Sequence, residues 1–269
     1  MATLRRVVLV YGIYGMSLMR SFPVDALERP MPDTAVPPSF EPTQRSRVRR
    51  VHERGRYDRE TVFAILDSAM TCHIGYVIDG QPYVTPTLFW REGERLYWHG
   101  SSASRMLRNQ TTGIPVCLTV THVDGLVVAR SGFHHSLNYR AVMAFGTAAK
   151  VEDPAEKEAG LNAFVDRVYP GRSKSIRPIN PQEMKATTLL GMTIEEASAK
   201  VREGGPVDDE EDYTADCWAG IVPIVPRIGA AIPDPRLTPG IPAAPEVGHF
   251  AEGAAFDEVL LALARNARE

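Results

Sequence analysis

Residues 72–109 read CHIGYVIDGQPYVTPTLFWREGERLYWHGSSASRMLRN, and this stretch decides the fold. Asp79-Gly80 stands between two runs rich in β-branched and aromatic residues, a strong short-range signal for a two-residue hairpin. Arg91-Glu92-Gly93-Glu94 marks a second turn, so the segment reads as three successive antiparallel strands. The third, Arg95 to His99, runs into Gly100-Ser101-Ser102-Ala103-Ser104-Arg105. Hydroxyls, backbone N–H groups and one guanidinium converge there, which suits a phosphate. The same residues also suit a plain helix cap followed by a surface arginine.

Working outward, Asp58 is placed to cap a helix from Arg59 to Met70, with Val62, Phe63, Leu66, Ala69 and Met70 at helical spacing. A short Ser/Arg helix follows the hairpin region to about Gln110. Pro115 to Thr121 alternates as a strand, and Leu126 to Arg130 continues it after a turn at Asp124-Gly125. Tyr139 to Val151 is a further strand. Asp153-Pro154-Ala155-Glu156 combines an N-cap, Pro at the first helical position and a capping acid, opening a helix to Tyr169. Asn180-Pro181-Gln182-Glu183 repeats that signal for a shorter helix. Thr188 to Val201 reads as a strand interrupted at Gly191, an acidic loop runs from Asp208 to Asp212, and Trp218 to Val225 is the last strand. Phe256 to Arg268 closes the chain as an amphipathic helix. Roughly six or seven mostly antiparallel strands with interspersed helices predict a small β-barrel carrying added helices.

The expected organisation has four parts. Residues 1–45 form an extension that is disordered or stems from a misannotated start, Met31 offering a second start. Residues 46–225 form the barrel, 226–252 a Pro/Gly/Ala-rich linker, and 253–269 the C-terminal amphipathic helix. Arg5-Arg6 and the apolar run after them imitate the first regions of a signal peptide. That run is too short to span a bilayer, and no clear cleavage site follows it.

Composition narrows the function. The chain has 269 residues, 44% hydrophobic and 23% charged, with a net charge of −3. Such a balance gives no general field for nucleic acid or an anionic membrane. The basic run Arg45 to Arg59 reads as a solvated arm, and neither partner is expected. A nucleic-acid module using that run would show salt-dependent affinity for DNA. The three cysteines, Cys72, Cys117 and Cys217, are far apart and lack metal-ligand spacing, which fits a reducing cytoplasm.

Little of the usual catalytic machinery is present. No nucleophile elbow, P-loop or dinucleotide-binding glycine motif occurs. His134 and His135 are adjacent, so along an extended chain their side chains point in opposite directions. No metal site is expected from them. Ser136 lacks an identifiable acid partner, and His73, His99 and His122 are dispersed. Catalytic residues stay unassigned, with His134 and Tyr139 as candidate proton carriers. The pattern suits a chain whose bound cofactor carries the chemistry.

The succession YVTPTLFW (83–90), RLYWHGSSASRM (95–106) and NYRAVMAFGTAAKVEDPAEK (138–157) resembles the pyridoxamine 5′-phosphate oxidase-related family, in particular its flavin-nucleotide-binding or nitroimidazole-resistance-like branch. The resemblance implies a mainly β fold with added helices, an antiparallel, Greek-key-like, FMN-binding split β-barrel. It implies that backbone groups of Tyr83, Val84, Thr85, Pro86, Thr87 and Leu88 line the flat flavin ring. Trp98, His99, Ser104 and Arg105 match the positions that hold the ribityl phosphate. Arg140 matches a strand reaching across a homodimer interface, and Trp218 a tryptophan flanking the cofactor. The implied activity is flavin-dependent oxidation and reduction of a small molecule, a hydride passing at flavin N5. A non-catalytic flavin or haem carrier and a reductase using the deazaflavin F420 are the alternatives. Leu88 stands where the vitamin B6 phosphate oxidases have a basic residue, and Val222-Pro223 where they have an arginine soon after the late tryptophan. That activity is therefore not expected.

Overall fold

The computed structural model describes residues 37–267. β1 (Gly55–Arg56) leads into α1 (Arg59–Asp67), which starts where Asp58 accepts a hydrogen bond from the Thr61 N–H at 2.8 Å. The hairpin β2 (Thr71–Ile78) and β3 (Gln81–Leu88) turns at Asp79 and Gly80, whose φ angles of 50° and 77° are those of a type I′ turn. Short β4 (Trp90–Glu92) pairs with β5 (Arg95–Ser101), and α2 (Arg105–Gln110) follows. The two long strands are β6 (Thr112–Val128) and β7 (Ser136–Lys150). Next come α3 (Pro154–Val168), α4 (Pro181–Ala186), β8 (Thr187–Thr193), β9 (Glu196–Arg202), β10 (Gly220–Pro223) and α5 (Phe256–Asn266). The caps of α3 and α4 form as the sequence predicts: Asp153 accepts from Glu156 N–H, and Asn180 and Glu183 make a reciprocal capping box.

All ten strands join one sheet, with the main path β3-β2-β6-β7-β8-β5-β4. β7 organises it. One edge of β7 pairs with β6 throughout, while the other edge is shared: Tyr139 to Phe145 pair with β9, and Ala148 to Lys150 pair with β8. Gly146 lies at this changeover, where an added Cβ would stand 2.3 Å from the Thr193 carbonyl oxygen and 2.7 Å from Met192 Cγ. Backbone cannot yield to such an approach as a side-chain tip can. Gly146→Ala is expected to destabilise the fold by about 1–3 kcal/mol, the usual cost of overpacking. A denaturation midpoint unchanged from wild type would show that β7 and β8 separate freely.

Three features differ from the sequence reading. The opening segment is not a simple three-strand meander. After β3 the chain breaks at Phe89, and β4 and β5 take the opposite end of the sheet path. Asp124-Gly125 is a bulge within one continuous strand rather than a turn, because the β6–β7 register shifts between Val123 and Gly125 and then resumes. Thr188 to Val201 runs in one direction along a single edge of β7 as β8 and then β9, and the interruption falls at Ile194-Glu195 rather than at Gly191. Gly191 lies within β8, beneath the Arg95 guanidinium.

Two apolar layers result. Leu96 and Trp98 of β5 point into the main core with Ile74, Leu118, Leu190, Met192 and the α1 residues Val62 and Leu66. Tyr97 points the other way, into a smaller layer with Trp90, Val151, Leu189 and Phe164 of α3. The compact unit begins at Pro38, upstream of the expected boundary at 46: Phe40 is 4% exposed and belongs to the main core. The signal-peptide-like run lies outside the described residues. Between Arg227 and α5, the Pro/Gly/Ala-rich segment is tied down, since Arg227 bridges Ala255 and Glu246 pairs with Arg172. No helix among the described residues is long and apolar enough to cross a membrane.

Candidate functional site

Among the described residues β3 has a single strand partner, β2, and so presents a free edge. The Phe89 N–H donates to the Met70 carbonyl, which with the two-residue hairpin fixes which groups face β2. By strand alternation, Tyr83, Thr85 and Thr87 direct their backbone groups to β2, whereas Val84 and Leu88 direct theirs outward. Pro82 and Pro86 fall on the outward set, where a missing N–H costs no ladder bond. The free edge therefore offers two N–H donors four residues apart and a row of carbonyls. Flat heterocycles with alternating donors and acceptors are recognised by such an edge.

At one end of this edge stands Arg105. It is exposed, its Nη2 donates to the Tyr83 hydroxyl, and its guanidinium lies 4.7 Å from the Tyr83 ring centroid. Tyr83 is itself stacked on Tyr76 at 5.7 Å, and the Tyr76 hydroxyl is 3.0 Å from Thr85 Oγ1. The arginine is thus held in place by the strand that carries the free edge. Ser104 caps α2 by accepting from the Leu107 N–H, and Ser101 Oγ accepts from the Ala103 N–H. Both hydroxyls keep their protons for an incoming acceptor. The cap and the cradle coexist.

Other predicted positions lie elsewhere. Trp98 is wholly buried in the main core, its indole N–H donating to Gln110 Oε1 at 3.1 Å. Arg140 is clamped by Asp124 at 3.0 and 2.8 Å and by Asp257 of α5 at 2.8 Å. Those two carboxylates raise its pKa and tie the C-terminal helix to the β6 bulge. Trp218 is 65% exposed and lies over Gly220 at the start of β10, where an added Cβ would meet its ring at 2.9 Å. His134 contacts Asp209 at 3.4 Å, and His135 Nδ1 contacts the Ser131 carbonyl at 2.8 Å. His134, Asp209 and Asp212 come close enough to hold a cation, a grouping hidden in the sequence because its members are far apart.

His99 occupies a separate cleft. It lines a cavity of about 430 Å³ whose wall is part apolar (Leu161, Phe164, Val165, Ile176, Ile179) and part polar (Asn162, Ser173, Arg177, Glu183, Thr187), and its ring meets Phe164 edge-on at 4.7 Å. Its Nδ1 is buried without a hydrogen-bond partner among the described residues, and desolvation lowers its pKa. A neutral imidazole is the form that ligates a metal. The sequence places apolar residues on this face of α3, and they are half-buried because they wall the cleft.

A family model described as pyridoxamine 5′-phosphate oxidase matches residues 58–201. Among solved structures, the chain is similar to the flavocytochrome Anf3 of Azotobacter vinelandii, with 45% identity, a TM-score of 0.74, and 78% of this chain and 98% of that one covered. It is also similar to the FAD and heme binding protein of Mycobacterium smegmatis, with 36% identity, a TM-score of 0.71, and coverage of 74% and 98%. No curated protein matches it.

Proposed function

The chain belongs to the pyridoxamine 5′-phosphate oxidase family, and from that premise we propose that it is a flavin-binding oxidoreductase acting on a small molecule as a homodimer. The observation that carries this reading is the free edge of β3 with Arg105 braced against Tyr83 at its end. The Val84 and Leu88 N–H groups and the neighbouring carbonyls would hydrogen-bond the edge of the ring system. Arg105, Ser101 and Ser104 hold a phosphate. When bound, a flavin supplies hydride and one-electron transfer, so the chain need not furnish an acid–base pair of its own. FMN is the flavin that the sequence resemblance suggests, and FAD is named in the description of one similar structure. The apolar side chain of Leu88 supports a substrate other than a phosphorylated vitamin B6.

The second copy has a surface to cover. Val77, Val84, Leu88 and Met143 are exposed on the outer face of the sheet, in rows that also contain Gly75 and Cys117. Contiguous apolar exposure of this kind marks an interaction surface, and here it borders the β3 edge. A dimer would close water out of the ring site. All three cysteines are free, in keeping with a reducing cytoplasm.

A haem-binding reading is favoured by one observation, a histidine, His99, on the wall of this cleft with a buried Nδ1 that has no hydrogen-bond partner among the described residues. The apolar part of the wall would take a macrocycle's ring, Arg177 its carboxylates and His99 its metal, while the β3 edge suits a flavin. Both sites coexist in the chain. One set of measurements tests these assignments: visible spectra of the purified protein, the same for His99→Ala, and mass by light scattering. We expect a flavin spectrum, a Soret band lost in His99→Ala without loss of flavin, and the mass of a dimer. A colourless protein that ignores added FMN and FAD would end the flavin reading, a Soret band that survives His99→Ala the haem assignment, and a monomeric mass the dimer.

A further inference from the structure

Beside the phosphate-binding turn lies a cavity of about 550 Å³ that the flavin reading leaves unexplained. Ser102 is on its rim, and its remaining lining is Lys150, Lys157, Lys185, Glu152 and four threonines. No apolar side chain contributes to the wall. Glu152 is engaged by Lys150 at 2.5 Å, which leaves Lys157 and Lys185 without a carboxylate partner among the described residues.

The two free ammonium groups differ in preparation. Lys157 reaches from α3 to the C-terminal end of α4, where its Nζ donates to the carbonyls of Met184 and Thr187, both at 2.6 Å. That fixes its position and leaves one proton to donate. Burial and the neighbouring Lys150 charge both depress its pKa, a strain that an anion would relieve. Lys185, on α4, faces the same space. Thr187 and Thr188 open β8 directly opposite Ser101 and Gly100 of β5, so the cavity abuts the cradle through a pair of hydrogen-bonded strands. Ser102 is anchored across that pair, its N–H donating to the Ala186 carbonyl at 2.8 Å.

We propose that this cavity binds the diphosphate portion of a dinucleotide. Two ammonium groups with several hydroxyl donors and no apolar wall select a compact, multiply charged, heavily hydrated anion, which is the chemistry of diphosphate. A carboxylate or a lipid tail would leave most of these donors unused. The proposal rests on the flavin reading for one of its two sources, because a flavin phosphate seated at Ser104 and Arg105 leads the second phosphate toward Ser102. The other source of the same chemistry is a nicotinamide dinucleotide acting as electron donor.

The test uses apoprotein, with inorganic pyrophosphate followed by calorimetry and FMN and FAD followed by flavin fluorescence. Lys185→Glu inverts a charge without touching the carbonyl bonds of Lys157, so the fold is kept; Lys157→Met is the second variant. We expect pyrophosphate to bind wild type and to weaken about tenfold or more in both variants, as loss of a charge-assisted contact implies. Displacement of pyrophosphate by FAD but not FMN, with an FAD preference lost in Lys185→Glu, assigns the site to the flavin's own diphosphate. Displacement by NADP⁺ but not FAD assigns it to the donor nucleotide. If neither flavin binds while pyrophosphate binding persists and responds to the variants, the flavin reading falls and the diphosphate pocket stands. If FMN and FAD bind equally and pyrophosphate does not bind, the pocket assignment is overturned and the flavin reading stands.

Discussion

Arg105→Ala is expected to weaken flavin nucleotide binding by about 10–100-fold, the equivalent of one hydrogen-bonded charge contact of about 1.5–3 kcal/mol. The side chain is exposed, so its removal costs the fold little, and a thermal melt within a few degrees of wild type would confirm that the loss is local. Its position is set by the Tyr83 hydroxyl and ring rather than by an acidic partner. The guanidinium therefore keeps an uncompensated charge for a phosphate. Arg105→Lys retains the charge but loses the planar fork, and should fall between wild type and alanine. Tyr83→Phe removes only the hydroxyl that holds the fork, and a smaller loss of a few-fold follows. Fluorescence titration of apoprotein with FMN measures all three. Affinity of Arg105→Ala within twofold of wild type would remove Arg105 from the site and leave the plain helix-cap reading.

The second large effect is on stability. Arg91 and Asp67 form an ion pair with side-chain exposures of 3% and 2%, joined at 2.6 and 3.1 Å. Arg91 also donates to the Gly93 carbonyl and lies 4.0 Å over the Phe63 ring. Arg91→Ala strips the guanidinium from a carboxylate that water scarcely reaches, and such truncations cost about 3–5 kcal/mol. That is a large part of the stability of an ordinary domain. The double variant Asp67→Leu with Arg91→Met removes both members of the pair and should recover part of the loss. Urea denaturation midpoints decide the matter. A loss under about 1 kcal/mol for Arg91→Ala would mean that solvent enters the site. The pair also joins the end of α1 to β4, just beyond Leu88, so it fixes where the candidate ring-binding strand leaves the sheet.

The local elements of this chain were legible because their causes are local. Asp58, Asp153 and Asn180 each satisfy N–H groups within three residues, and Asp79-Gly80 supplies the positive φ of a two-residue turn. The candidate cradle was legible for the same reason, as Ser101 to Arg105 are consecutive. The positions assigned through resemblance scattered more. Trp98 matched a phosphate-holding position but lies in the core, because the alternation of β5 sends Leu96 and Trp98 into the barrel and Tyr97 under α3. Arg140 gave no sign of its partners, Asp257 being more than a hundred residues away.

Where helices begin, where the first hairpin turns and which chemistry the Ser/Arg turn offers follow from φ preferences and hydrogen bonds within a few residues, and so are written in the sequence. That β3 is an edge among the described strands while β4 and β5 join the far end of the sheet emerges from packing alone, because strand pairing is a long-range choice. Packing also decided that β7 is shared between β8 and β9, with Gly146 alone small enough for the crossing. Finally, it brought Lys150, Lys157 and Lys185, one from a strand and two from different helices, around a single cavity. Each looks like an ordinary surface lysine until packing gathers them beside the Ser101 to Arg105 turn.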